Sequence, residues 1–246
     1  MIDGLVLAFQ FFTRLPINRI VEFNEQNIRK SIFFFPLVGG LIGLIAGLIY
    51  YPISTINRDM ASLLALICLI FLTGGLHIDG LSDTFDGFLS NKEKDRILEI
   101  MKDSHIGAYG ALSMLVLLLA KFIIISSFDK GLVLALILSL ANSRFVVSRI
   151  ISYKKNARLG GLGDMFHNSR PGNAIIIIGL IYIVVISFIN ILYIIPLLVN
   201  FLVGELFSIW SYKKIGGMTG DTYGAIIEIG DTISLLSFWG VMIWIY

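Results

Sequence analysis

Cysteine is almost missing from this chain: its 246 residues hold one, Cys68, inside an apolar run, so no intrachain disulfide forms and no redox compartment is indicated. Charge is scarce too, at 15% Asp, Glu, Lys and Arg with a net charge of +2. There is no basic run interleaved with aromatics, so a nucleic-acid surface is excluded and no nucleic-acid partner is expected. The opening MIDGLVLAFQFFTRLP lacks a basic n-region and a small-residue cleavage site, so a removable signal peptide is not expected. No repeat of fixed period and no low-complexity segment is present. What fills the chain is apolar: 57% hydrophobic residues and a mean hydropathy of +0.87 indicate a polytopic membrane protein rather than a soluble core.

The expected fold class is therefore all-α, a polytopic integral membrane helical bundle forming a single catalytic domain over residues 1–246. Seven apolar runs approach the length needed to cross a hydrocarbon core of about 30 Å. They cover 32–54, 61–76, 108–128, 131–151, 174–190, 191–212 and 232–246. About seven transmembrane helices are thus expected. Ile2, Leu5, Val6, Phe9 and Phe12 recur at helical spacing and predict a short surface helix before the first span. With the N-terminus inside, fourteen Lys and Arg fall in inner segments and two, Arg58 and Lys130, in outer ones. That bias predicts a cytoplasmic N-terminus, an outer C-terminus and three cytoplasmic polar loops, 77–107, 152–173 and 213–231. Within the first loop, residues 91–103 predict an amphipathic helix along the membrane surface.

The acids are concentrated where the charge is otherwise thin. Asp79, Asp83, Asp86, Glu93, Asp95, Glu99 and Asp103 all lie between Gly74 and Gly110. Asp79, Asp83 and Asp86, spaced i, i+4, i+7, share one helical face. Three carboxylates on one face repel one another unless a cation sits among them, and an all-oxygen set that leaves room for phosphate ligands suits Mg²⁺. Taken singly, an Asp beside Gly at a helix end reads as a cap or turn residue; taken together at a membrane boundary, the three point to a metal or phosphate site. Asp103 and His105 offer a further ligand or base, and His77 is either structural or a participant. In KKIGGMTGDTYGAIIEIGD, Asp221 and Glu228 again share a face behind a glycine-rich turn, which is either an anion cradle or loop punctuation. The loop around 152–173 carries Lys154, Lys155, Arg158 and Arg170 as headgroup anchors, while Arg144 lies inside a span and must find a partner there or snorkel.

The DG-x-x-D-x-x-D-G pattern of residues 79–87 resembles, in its chemistry, the carboxylate motif of membrane CDP-alcohol phosphotransferases. A wider likeness follows from AFQFFTRLPI (8–17), FFPLVGGLIG (34–43), GGLHIDGLSDTFDGF (74–88), RILEIMKDSHIGAYGA (96–111) and GGMTGDTYGA (216–225), with a looser match at SYKKNARLGGLGDMF (152–166). By these segments the chain resembles the adenosylcobinamide-GDP ribazoletransferase family, the cobalamin synthases. The resemblance implies a Mg²⁺-dependent phosphotransferase of the cell membrane, its active site facing the cytoplasm. Its implied partners are adenosylcobinamide-GDP, α-ribazole or α-ribazole 5′-phosphate, and the lipid bilayer; a homo-oligomer is also open to it. The implied products are adenosylcobalamin, or its phosphate, and GMP.

On that resemblance Asp79, Asp83 and Asp86 hold Mg²⁺ against the diphosphate, and Asp103, His77 and His105 are the catalytic candidates for taking the proton of an attacking ribose 5′-hydroxyl. Arg14, Lys102, Arg144, Arg158, Asp221 and Glu228 are the expected substrate-binding residues. Two competing readings fit less well. A lipid-directed CDP-alcohol phosphotransferase would carry a D-x-x-D-G-x-x-A-R run that is absent here. A transporter would place its ionisable residues along the spans, where only Lys121, Arg144, Arg149 and Glu205 are expected.

Overall fold

A computed structural model describes residues 1–158 and 160–245. Positions 159 and 246, which belong to the expected loop 152–173 and the expected run 232–246, lie outside them. The helices, in chain order, are α1 (Ile2–Phe12), α2 (Glu25–Ile32), α3 (Phe35–Ser54), α4 (Arg58–Thr73), α5 (Leu76–Leu89), α6 (Lys94–Ile100), α7 (Ala108–Ser126), α8 (Leu132–Tyr153), α9 (Leu162–Asn168), α10 (Ala174–Ile189), α11 (Ile194–Ile215) and α12 (Gly220–Ile245). A 3-10 turn, Ile191–Tyr193, leads into α11. Among the described residues there is no β-strand, so the all-α expectation holds.

The count of seven spans is not confirmed by length and composition. Among the described residues five helices are long and apolar enough to cross a membrane, namely α3, α7, α8, α11 with its leading 3-10 turn, and α12. A sixth arises only if α4 and α5 are counted as one bent span, and the chain turns by 87° between them. The turn is made by Gly74 (φ 64°) and Gly75 (φ 72°), two successive left-handed residues that only glycine adopts without strain. It ends the expected run 61–76 and turns α5 away from α4, so that α5 packs against α7 and α12. The run 174–190 becomes α10, at 16 residues shorter than those five, and it returns along α8, with Tyr153 Oη donating to Asn173 Oδ1 at one end and Tyr182 Oη to Asn142 Oδ1 further on.

The largest departure is at the C-terminus. The expected loop 213–231 is helical except at a short turn, because α11 continues to Ile215 and α12 begins at Gly220 and runs for 26 residues. Its polar residues are tolerated inside the bundle because cations on other helices meet them. Glu228 pairs with Lys121 of α7, and Asp231 accepts from Arg144 and Ser143 of α8. Lys121 Nζ also lies 4.0 Å from Asp231 Oδ2, and the ionic side chains of this cluster are at most 5% exposed. Two positive and two negative groups therefore close a neutral cluster at the junction of three spans.

In lipid there is little hydrophobic drive between helices, so close backbone approach and internal polar contacts hold them together. α3 packs on α8 through Gly39, Gly43 and Gly47; a β-carbon at the first two would collide with the carbonyls of Leu140 and Leu136. α12 is the central element, packing against α5, α7, α8 and α11. Exposed large apolar residues run down α7 (Leu112, Leu115, Leu119, Ile123), α10 (Ile177, Leu180, Val184) and α11 (Leu198, Leu202, Leu206), as lipid-facing helices require.

Candidate active site

Where α5 crosses α12, each helix offers a glycine. A β-carbon on Gly80 would stand 2.9 Å from the Asp221 carbonyl oxygen, and one on Gly224 would stand 3.2 Å from that of His77. This contact brings Asp79 of α5 and Asp221 of α12 to one cavity of about 260 Å³. The loop before α9 closes it, held to the turn before α12 by Ala157 N donating to Met218 O at 2.7 Å and Met218 N donating to Lys155 O at 2.9 Å. Gly163 lies so close to Gly220 that a β-carbon there would reach its amide nitrogen at 2.7 Å.

Two unlike walls result. One is polar: Asp79, Asp221, Arg158, Asn156, Asp164 and Thr219. Arg158 Nη2 and Thr219 Oγ1 each lie 3.4 Å from Asp221 Oδ2. Asp164 accepts from Gly160 N at 2.9 Å and from Asn156 Nδ2 at 3.2 Å, and the Gly160 amide holds its carboxyl below the usual range. The other wall is aromatic, built from Phe11 and Phe12 of α1, Phe35 of α3 and Phe166 of α9. Their rings meet at centroid distances of 4.5 Å (Phe12 and Phe35), 4.7 Å (Phe11 and Phe166) and 5.6 Å (Phe35 and Phe166). Several buried polar atoms of lining residues lack a partner: His77 Nε2, Tyr223 Oη, Asn156 Oδ1 and Arg158 Nη1. Burial, with the Arg144 charge behind it, pushes the His77 imidazole down to about 3, so it is neutral.

Of the residues expected from the sequence, His77, Asp79, Arg158 and Asp221 line the cavity. Asp83 is half-buried beside it, and burial, then Asp79, Asp221 and Asp86, push its carboxyl up to about 7. Asp86 is on the same helix but its oxygens are engaged: they accept from Gly107 N at 2.7 Å and Gly110 N at 2.8 Å and so cap α7. Asp103 and His105 are joined to each other at 2.7 Å on the surface, 58% and 91% exposed, and the His105 contact holds the Asp103 carboxyl below its usual range. Arg14 and Lys102 are exposed and are not among the lining residues. Arg144 and Glu228 belong to the buried ionic cluster, away from the lining; Arg144 reaches the cavity indirectly, its guanidinium 5.9 Å from the centroid of the Phe12 ring. The sequence reading passed over Asn156, Asp164, Thr219, Tyr223 and the phenylalanines. Asp164 had a signal in its glycine-flanked position, GGLGDMF; the phenylalanines lie in the segments 8–17, 34–43 and 152–166 that carry the resemblance, but in a chain with 18 of them nothing in their local spacing joins these four.

Among the described residues no three His, Cys, Asp or Glu side chains stand together in ligating positions. The donor set nevertheless suits a hard divalent ion: it is all oxygen, and the neighbouring carboxylates add to burial, the larger cause, in raising Asp83, a repulsion such an ion relieves.

The chain matches the family described as cobalamin-5-phosphate synthase (CobS) over residues 4–239. It is 36% identical over 254 residues to the adenosylcobinamide-GDP ribazoletransferase of Treponema denticola, covering 93% of this chain and 94% of that protein. The protein of the same name from Clostridium novyi is 38% identical over 244 residues, with 96% and 98% covered. That from Caldanaerobacter subterraneus subsp. tengcongensis is 35% identical over 247 residues, with 96% and 98% covered. No solved structure matches the chain. A match running almost end to end, over segments that include both carboxylate-bearing helices of the cavity, means that this chain belongs to the cobalamin-5-phosphate synthase family.

Proposed function

We propose that the chain is an adenosylcobinamide-GDP ribazoletransferase, joining adenosylcobinamide-GDP to α-ribazole or its 5′-phosphate with release of GMP. The observation that carries the site assignment is the Gly80 and Gly224 contact, which gathers Asp79, Asp221 and Arg158 at one cavity beside an aromatic wall, with Asp83 close to both carboxylates. In the reaction a ribose hydroxyl attacks the phosphorus nearer the cobinamide, and the bond from that phosphorus to the bridging oxygen breaks, leaving GMP. Because the 5′ position already bears phosphate in one acceptor, the attacking group is a ring hydroxyl and not the 5′-hydroxyl expected from the sequence.

Asp79, Asp83 and Asp221 would hold Mg²⁺, and Asp86, each of whose oxygens accepts one backbone N–H at the start of α7, keeps further lone pairs on the same helix. The bound ion would supply neutralisation of the diphosphate oxygens. Arg158, whose Nη1 has no partner, adds positive charge at the same wall. The proton of the attacking hydroxyl passes to a carboxylate of this wall; the surface position of Asp103 and His105 argues against either as the base. The excess of basic residues in segments at this end of the bundle supports an orientation with the cavity facing the cytoplasm, in the cell membrane that the family likeness implies.

The test is GMP release by purified, detergent-solubilised protein given both substrates, with Mg²⁺ and with chelator. Mg²⁺-dependent GMP accompanied by a cobalamin product is the expected result. A folded preparation that releases no GMP with either acceptor refutes the assignment.

A further inference from the structure

The cavity has one wall fit for phosphates and metal and another fit for nothing charged. Phe12, Phe35 and Phe166 are at most 2% exposed, and Phe11 is packed against them from a partly open position. Resting on the proposed function, we infer that Phe11, backed by these three buried rings, seats the fused ring of the acceptor, the dimethylated benzimidazole of α-ribazole, and that Tyr223 hydrogen-bonds its free ring nitrogen.

The two substrates bring two different heterocycles, and the wall discriminates between them. Guanine has a ring N–H, an amino group and a carbonyl, all of which would lose water without gaining partners among phenylalanine rings. The benzimidazole base has an apolar, methyl-bearing edge and flat faces suited to edge and stacking contacts with aromatic rings. Once N-glycosylated it keeps one polar atom, an acceptor nitrogen. It needs one donor, and Tyr223 supplies one: its side chain is 5% exposed, lines the cavity and has a buried hydroxyl without a partner. The space also fits. A cavity of about 260 Å³ takes a bicyclic base but not a corrin, so the cobinamide stays at the mouth with its diphosphate toward Asp79. The acceptor ribose then lies between the two walls, which is where an attacking hydroxyl has to be.

The test is binding read from benzimidazole fluorescence, with α-ribazole, its indole counterpart in which carbon replaces the acceptor nitrogen, and adenosylcobinamide-GDP as probes. Phe11→Ala, at the partly exposed position, should weaken α-ribazole about tenfold and leave the donor within about twofold. Tyr223→Phe should weaken α-ribazole about fivefold and leave the indole riboside unchanged, abolishing the preference between them. Phe166→Leu, which keeps an apolar volume, serves should Phe11→Ala fail to melt cooperatively. Loss of donor binding with acceptor binding intact would overturn the inference, as would failure of the wild-type protein to bind α-ribazole. Because binding is read without turnover, a protein that binds α-ribazole at this wall yet releases no GMP would sink the proposed function and leave the seat standing.

Discussion

Asp231→Ala tests whether the buried ionic cluster holds the bundle or serves the substrate. In the wild type Asp231 is the shared node, contacted by Arg144, by Ser143 and at 4.0 Å by Lys121, whereas Glu228 has Lys121 as its partner. Removing it leaves two cations facing one acid, with the Arg144 side chain 1% exposed and no route to water. Breaking a buried pair in this way costs about 3–5 kcal/mol. For a chain of this length that corresponds to a fall in melting temperature on the order of 10 °C. The assay is thermal unfolding of the purified protein in detergent, with Arg144→Met combined with Asp231→Leu as the control. That double variant removes both charges and keeps the volume apolar, so it should recover most of the loss, and the cycle should show strong coupling. An Asp231→Ala protein as stable as wild type, or a double variant no better than the single, would refute the reasoning. Glu228→Gln extends the test to the sequence expectation: a stability loss with unchanged substrate KM agrees with the structure, and the reverse pattern with a binding role.

Asp79→Asn should lower GMP release on the order of a thousandfold while the protein still inserts and melts normally, since it removes charge at the cavity and nothing in the core. Gly80→Ala places a methyl 2.9 Å from the Asp221 carbonyl, so it should force α5 and α12 apart and cut turnover more than it cuts stability. Asp86→Ala removes two charge-assisted bonds at the start of α7 and should cost about 1–2 kcal/mol, read as faster amide exchange at residues 107–111. Asp83 has a carboxyl raised from its model-peptide range to about 7, so its contribution to stability is complete below about pH 4 and is lost as pH rises through about 7. In chelator, the melting temperature should fall between those limits, and Asp83→Asn should flatten that fall.

The helical membrane class was legible because lipid leaves the backbone few choices: a spanning segment must satisfy its own N–H and C=O groups and must be apolar over most of its length. The sequence signal failed where a polar residue's cost is met by a distant partner. Glu228 and Asp231 look like loop residues when read locally, and Lys121 and Arg144, which neutralise them, are roughly a hundred positions earlier. The regular spacing of Asp79, Asp83 and Asp86 correctly placed them on one helix, but spacing says nothing about a neighbour; the Gly107 and Gly110 amides claim Asp86 for α7.

By itself, then, the sequence determined an all-helical membrane chain, the carboxylate-bearing segment and the family-specific motifs, because hydropathy, helical period and motif residues are local properties. Only the tertiary structure decided which acids share a cavity and which share the core. Two glycines let α5 and α12 touch and carry Asp79 to Asp221, an ion cluster keeps α12 helical through its polar half, and phenylalanines from three separate helices become one wall. Each of these depends on contacts between residues far apart in the chain, and no local period records them.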